Sequence, residues 1–203
     1  MIFRRLLLIL FVVLLGGCAT TPPSNLNNVC DIFEQKDGWY KEAKKATKRW
    51  GGSIPTIMAF MHQESRFVHD AKPPRGKFLW VFPGSRPSNA EGYAQALNGT
   101  WSDYRRRSGN GGASRSDFGD AADFIAWYNH NTVKSTNIKP WESSKLYLAY
   151  HEGAGGYNRG SYKNKAWLIK VSKKVGDRSW RYHTQLKACQ AKLERESKFW
   201  GIF

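Results

Sequence analysis

Apolar and small residues recur at helical spacing in six segments of this chain, and that recurrence constrains the fold more than any other property. The segments run from Gly38 to Trp50, Ser53 to Phe67, Asp117 to Asn129, Glu142 to Glu152, Lys165 to Val175, and Asp177 to about Trp200. A period of about 3.6 residues presents one face of each to a common core, as in a helical domain. Ser53, Asp117 and Asp177 stand where N-caps belong, Pro55 comes early in its helix, and Gly51, Gly153 and Gly176 mark expected ends. Two breaker-rich stretches interrupt the pattern. One is residues 69–89, with Pro73, Pro74, Pro83 and Pro87; the other is residues 105–116, with Gly109, Gly111 and Gly112. Within the first, Lys77 to Phe82 suits a short strand or hairpin. No internal repeat is visible. The expected class is mainly α: a single helical domain with a small β or irregular element.

The N-terminus reads as an export signal. Arg4 and Arg5 precede an unbroken apolar run from Leu6 to Leu15, too short to cross a hydrocarbon core of about 30 Å as a helix. The sequence Leu15-Gly16-Gly17-Cys18 resembles a bacterial lipobox, which implies cleavage before Cys18 and acylation of that cysteine. A soluble secreted form with a free Cys18 is the alternative. The expected organisation is a lipoprotein signal peptide at 1–17, a flexible, polar, disordered tether at 18–30 and one compact domain at 31–203. Several acyl chains hold a protein stably on a membrane without spanning it. Ala19 is not the Asp that, in the lipoprotein pattern, retains such proteins at the inner membrane. The periplasmic face of the outer membrane is the expected location.

With Cys18 assigned to lipid, Cys30 and Cys189 remain, and an oxidising compartment invites a disulfide between them. Two buried thiols are the alternative. Cys189 falls on the apolar stripe Tyr182, Leu186, Cys189, Leu193 and Trp200. The formal charge of +16 suits any polyanionic partner. Export excludes nucleic acid, leaving anionic lipid or a wall carrying peptide carboxylates. Lys41, Lys44, Lys45 and Lys48 lie opposite Trp39, Ala43, Ala46 and Trp50 and read as a solvated face. The five histidines have no ligand spacing, and no phosphate-cradling glycine loop is present, so no metal or cofactor is expected.

In the second segment Ile54, Ile57, Met58, Met61, Glu64 and Ser65 share one sector, whereas His62, Gln63 and Arg66 face away. A carboxylate ending an apolar stripe is unusual, and burial raises its pKa because the charged form loses solvation. A carboxyl that keeps its proton near neutral pH can protonate a glycosidic oxygen. A surface Glu64 paired with Arg66 or a lysine is the bland alternative.

Three ordered motifs decide between them: Gln63-Glu64-Ser65, Gly92-Tyr93-Ala94-Gln95, and Ala149-Tyr150-His151-Glu152-Gly153. Together they resemble the series of the soluble-lytic-transglycosylase (SLT) family, which has a lysozyme-like fold and cuts peptidoglycan glycan strands. The resemblance spans roughly residues 50 to 175. It implies a monomeric lyase in which Glu64 is the one catalytic acid, then base, and the product carries a 1,6-anhydro ring. By the same resemblance Ser65 contacts the substrate N-acetyl group or orients Glu64, and Gln95 offers its amide to sugar groups. Gly92 permits close backbone approach, and Tyr150 holds Glu64 or the N-acetyl carbonyl.

Three positions depart from the family pattern. Tyr93 replaces an apolar residue and His151 an asparagine, and by the resemblance both are still expected at the substrate; Glu152 replaces a small residue. Glu152 is either a solvated helix-end residue or a second carboxylate. A lysozyme-type hydrolase using Glu152 or Asp70, or a non-catalytic wall-binding lipoprotein, are therefore the competing functions. Among the aromatics, Trp127 reads as core and Trp80, in the first loop, as a cleft candidate beside Trp101 and Tyr157.

Overall fold

The computed structural model describes residues 21–75, 77–78, 82–83 and 85–199. The leader, Cys18, Trp80 and Trp200 lie outside the described residues. Seven helices are found among the described residues: α1 (Val29–Gln35), α2 (Trp39–Trp50), α3 (Ile54–Ser65), α4 (Asn98–Ser108), α5 (Phe118–Ser135), α6 (Ser143–Arg159) and α7 (Ala166–Phe199). A 3-10 turn at Ser161–Asn164 joins α6 to α7. Strands β1 (Lys77–Phe78) and β2 (Phe82–Pro83) pair antiparallel as the hairpin expected there. The fold is mainly α. No helix among the described residues is long and apolar enough to cross a membrane.

The centre of the molecule is α3. The Ser53 hydroxyl caps it by accepting from the Thr56 amide, and Pro55 occupies its first turn, where a missing N–H costs nothing. Every residue from Pro55 to His62 is buried, so the helix is enclosed on all sides rather than striped. His62, expected to face away, is inside: its Nδ1 accepts from the Arg178 guanidinium at 2.8 Å. Burial, then Arg178, push its pKa down to about 4. The enclosing elements are α7 along one side, α2 and α5 on the others, with α6 packed between α5 and α7.

Helix α7 runs unbroken for 34 residues, roughly 50 Å at 1.5 Å per residue. Its buried positions Leu168, Ser172, Val175, Ser179, Tyr182, Leu186 and Leu193 alternate steps of three and four with Cys189, the spacing of a single packed seam. Gly176 was expected to end one helix and Asp177 to begin another; the helix passes through both. The glycine serves a close crossing instead, since a Cβ there would lie 1.9 Å from Ser144 Oγ at the start of α6.

Part of the segment expected to be a disordered tether is packed. Pro23 is buried, the Tyr182 hydroxyl donates to the Leu26 carbonyl, and Gln185 Nε2 donates to the Asn27 carbonyl at 3.0 Å. Asn28 then caps α1 by accepting from the Cys30 amide at 3.0 Å. Cys30 and Cys189 are joined as a disulfide between α1 and α7, their Cα atoms 6.0 Å apart.

Helix α4 occupies residues where no helix was expected. Its composition is poor for a helix, with Asn98, Gly99, Thr100 and Ser102, and only Trp101, Tyr104 and Ser108 are buried. Those three fall on one face, and tertiary packing of that face overrides weak propensity. Trp101 and Tyr104 meet Phe124 of α5 at centroid distances of 5.2 and 5.4 Å, and Trp127 joins the same cluster as core.

Candidate active site

Glu64 is the penultimate residue of α3. The helix stops one residue later because Arg66 (φ 52°) and Phe67 (φ 62°) both take left-handed backbone. Two successive non-glycine residues there are costly and are held by their surroundings. Phe67 supplies the hold: it is fully buried, 5.8 Å from the Trp39 ring and 6.0 Å from His62. The turn redirects the chain at once, so the end of α3 opens toward the second and third motifs. Among the described residues one other non-glycine has positive φ, Gln95 in the second motif.

The second motif is a tight turn locked onto the segment leaving α3. The Gly92 amide donates to the Ala71 carbonyl at 2.9 Å. Gln95 Nε2 donates to the same carbonyl at 2.8 Å and to the Gly92 carbonyl at 3.0 Å. Both donors of the Gln95 amide are thereby engaged within the protein, so its expected donation to sugar groups is replaced by a clamp. Gly92 has φ 77°, and a Cβ would lie 2.2 Å from the Arg115 carbonyl oxygen. The close approach that requires glycine is thus to this chain's own backbone. Tyr93, expected at the substrate, is 2% exposed and packs edge-on against Trp39 and Phe118. It is core.

The third motif lies on α6. Tyr150 donates its hydroxyl to the Ala94 carbonyl at 2.6 Å, tying the third motif to the second. Its ring meets Phe60 of α3 at 5.2 Å and Tyr128 of α5 at 5.0 Å. The expected bond from Tyr150 to Glu64 falls instead to Tyr147, one helical turn earlier on the same face, whose hydroxyl is the hydrogen-bonding partner of the Glu64 carboxyl. Tyr147 was not among the expected site residues. The signal for it was its three-residue spacing from Tyr150 on a helix.

Burial pushes the Glu64 carboxyl up from 4.5 to about 7, while the Tyr147 hydrogen bond pulls it down. Although the residue is partly open to solvent, its carboxyl is closely surrounded by protein, and that local desolvation governs its proton. The phenols respond in kind: burial, then the nearby Glu64 charge, raise both Tyr147 and Tyr150. Such a carboxyl is part-protonated at neutral pH and can both give and take a proton there. Ser65 is buried and donates to the Met61 carbonyl at 3.2 Å, which leaves its oxygen able to accept.

Glu152 is neither a solvated helix-end residue nor a partner of Glu64. Its carboxylate receives Lys165 Nζ at 2.6 Å, the Ser161 hydroxyl, and His151 Nδ1 at 3.0 Å. Lys165 and then Ser161 hold its pKa down to about 2. His151 lies half-open beside it, 5.1 Å from the Trp167 ring. Gly153 follows with φ 73° and ψ 157°, a break inside α6 rather than its end. Asp70 is largely exposed, with His69 Nε2 at 3.8 Å. No cluster among the described residues could hold a metal ion.

Three motifs separated by some thirty and fifty residues are therefore linked: Glu64 lies near Tyr150 of the third motif, whose hydroxyl holds the Ala94 carbonyl of the second. The family model of the Transglycosylase SLT domain matches residues 6–189. The chain belongs to this family. No curated protein and no solved structure matches it significantly. An SLT domain carries a lytic-transglycosylase type of activity on peptidoglycan, and the convergence of the motifs places Glu64, Tyr147 and Tyr150 at one location in this SLT domain. A groove of about 730 Å3 lies at the other end of α3, lined by Ser53 and Thr56; the motifs, not cavity size, identify the candidate active site.

Proposed function

We propose that Glu64 protonates the oxygen leaving N-acetylmuramic acid at its β-1,4 bond to N-acetylglucosamine. The substrate's own N-acetyl group stabilises the cation that develops. Glu64, now a carboxylate, takes the proton from the sugar's 6-hydroxyl, whose oxygen closes onto the anomeric carbon as a 1,6-anhydro ring. No water is consumed. The observation that carries this reading is a single carboxyl that burial lifts to about 7 against the opposing pull of the Tyr147 hydrogen bond, with no second carboxylate contributing. Hydrolysis with retention needs a second carboxylate about 5 Å away, and the two considered for it are otherwise placed: Glu152 is locked to Lys165 and Asp70 lies in the open. An intact and desolvated acid weighs against a binding-only protein. Mass analysis of the ends released from sacculi tests the proposal.

In this account Ser65 accepts from the substrate N-acetyl N–H, and Tyr150 shapes the site through the Ala94 carbonyl. Acylation of Cys18 anchors the domain on the periplasmic face of the outer membrane, where it reaches peptidoglycan as a monomer.

The role of Tyr147 has a directional test. Its hydrogen bond favours the charged form of Glu64, so Tyr147→Phe raises the Glu64 pKa above about 7. Because the first step needs protonated Glu64, kcat/KM falls on the alkaline side, and in the variant that fall moves to higher pH. A fall that stays in place, or moves toward acid, contradicts the assignment.

A further inference from the structure

Two indoles stand in the open at the end of α3 remote from Glu64. Trp141 is 76% and Trp180 70% exposed, and both border a groove of about 730 Å3. The Trp180 ring is backed by His183, stacked at 5.7 Å. The groove is also lined by a connected set of hydroxyls: Ser53 Oγ lies 2.8 Å from Thr56 Oγ1, which lies 2.9 Å from Ser143 Oγ, which donates to Ser179 Oγ at 3.0 Å. The Glu142–Lys145 ion pair borders the groove as well. Large apolar rings left unburied along a concave surface mark a binding surface rather than a solvated one.

A smaller chamber of about 80 Å3 shares Gly52, Ser53, Thr56 and Pro140 with this groove. Ile57, Ala126 and Leu146 give it apolar walls, and Asn129 lines it too. Asn129 is 7% exposed, and its Oδ1 is the buried side-chain oxygen that, among the described residues, has no hydrogen-bond partner. A buried acceptor left unpaired is destabilising and is satisfied by any donor that reaches it. The chamber is too small for a sugar ring. An acetamido group fits its chemistry, with a methyl for the apolar walls and an N–H for Asn129 Oδ1. The indoles suit the apolar faces of pyranose rings.

We propose that this groove is a second glycan site, which takes an N-acetylhexosamine of the peptidoglycan strand through its acetamido group. It rests on peptidoglycan being the substrate polymer but not on how Glu64 cleaves it. Ser53 and Glu64 bracket α3, about 16 Å apart along its axis. The groove therefore holds another part of the strand, or a neighbouring strand, and keeps the enzyme on the wall between cuts by raising the local concentration of bonds.

The test uses the Glu64→Gln domain, so that nothing is turned over, titrated with the tetramer of β-1,4-linked N-acetylglucosamine and with cellotetraose, which lacks acetamido groups. The Trp141 and Trp180 indole N–H signals and the Asn129 side-chain amide should shift saturably with the first. Cellotetraose should bind at least about tenfold more weakly and leave Asn129 unmoved. Trp141→Ala combined with Trp180→Ala should weaken binding to sacculi about tenfold. Silent indoles, or equal responses to both sugars, overturn the proposal. So does an indole response confined to anionic phospholipid vesicles, which would make this face a membrane contact, or to neither probe, which would leave Asn129 to a buried water. Absence of anhydro products would count against the Glu64 chemistry and leave these shifts standing.

Discussion

Replacing Glu64 by glutamine should abolish release of glycan fragments from sacculi, with a loss of about 10³-fold or more in kcat, the range expected when a positioned general acid is removed. Glutamine preserves the shape and the ability to receive the Tyr147 hydroxyl, so the loss reports the proton and not the packing. A second effect has the opposite sign. Glu64 has a pKa of about 7 in the folded protein against 4.5 ordinarily, so the folded state binds the proton more tightly than the unfolded chain. Stability from this group is complete below about pH 4.5 and is lost as pH rises through about 7. The difference amounts to about 3 kcal/mol above pH 7. Glutamine never ionises, so the variant should match the parent at pH 4 and be more stable than it at pH 8. An inactive variant that is also less stable at pH 8 would show that Glu64 is not desolvated.

The second large effect concerns the disulfide. Cys30 and Cys189 are 159 positions apart, so their bond closes nearly the whole described domain into one loop. Removing such a link restores a large conformational freedom to the unfolded chain, typically about 2–5 kcal/mol. For a domain of this size that is a fall of about 5–15 °C in melting temperature. The native state keeps other ties between the same elements, among them the Val29 amide donating to Gln185 Oε1 at 3.0 Å. The double variant Cys30→Ser, Cys189→Ser should therefore fold and retain activity at low temperature while melting early. Reduction of the parent should lower its melting temperature to the same extent and leave the double variant unchanged. Equal melting with and without reductant would show that the bridge does not constrain the unfolded chain.

Much of this molecule was legible in its sequence wherever a physical requirement acts on neighbouring residues. The caps Ser53 and Asp117, the helical periods and the hairpin at Lys77 to Pro83 are local demands and appear as local patterns. The desolvation of Glu64 was also readable, though from a stripe that proved to be a fully enclosed helix. What escaped depends on partners far along the chain. Gly176 looks like a stop until Ser144 is placed against it, and Gly92 requires the Arg115 carbonyl to explain it. His62 reads as surface until Arg178 and Tyr182 arrive from α7. Tyr93 and Gln95 occupy the right motif, yet core packing and a backbone clamp take up the groups expected to meet substrate. Tyr147 sits outside every motif, and its place at the acid follows only once α6 is set beside α3. At Glu152 the departure from the family pattern marks an ion pair with Lys165, which binds the third motif to the start of α7.

The central claim is that one carboxyl acts as acid and then base without water. The mass of the glycan ends released from purified sacculi tests it most directly. The account predicts N-acetylmuramic acid ends lighter by one water than hydrolytic ends, formed by the parent domain and absent with Glu64→Gln. Reducing, hydrated ends from the parent would contradict it and would require a second carboxylate or an activated water beside Glu64.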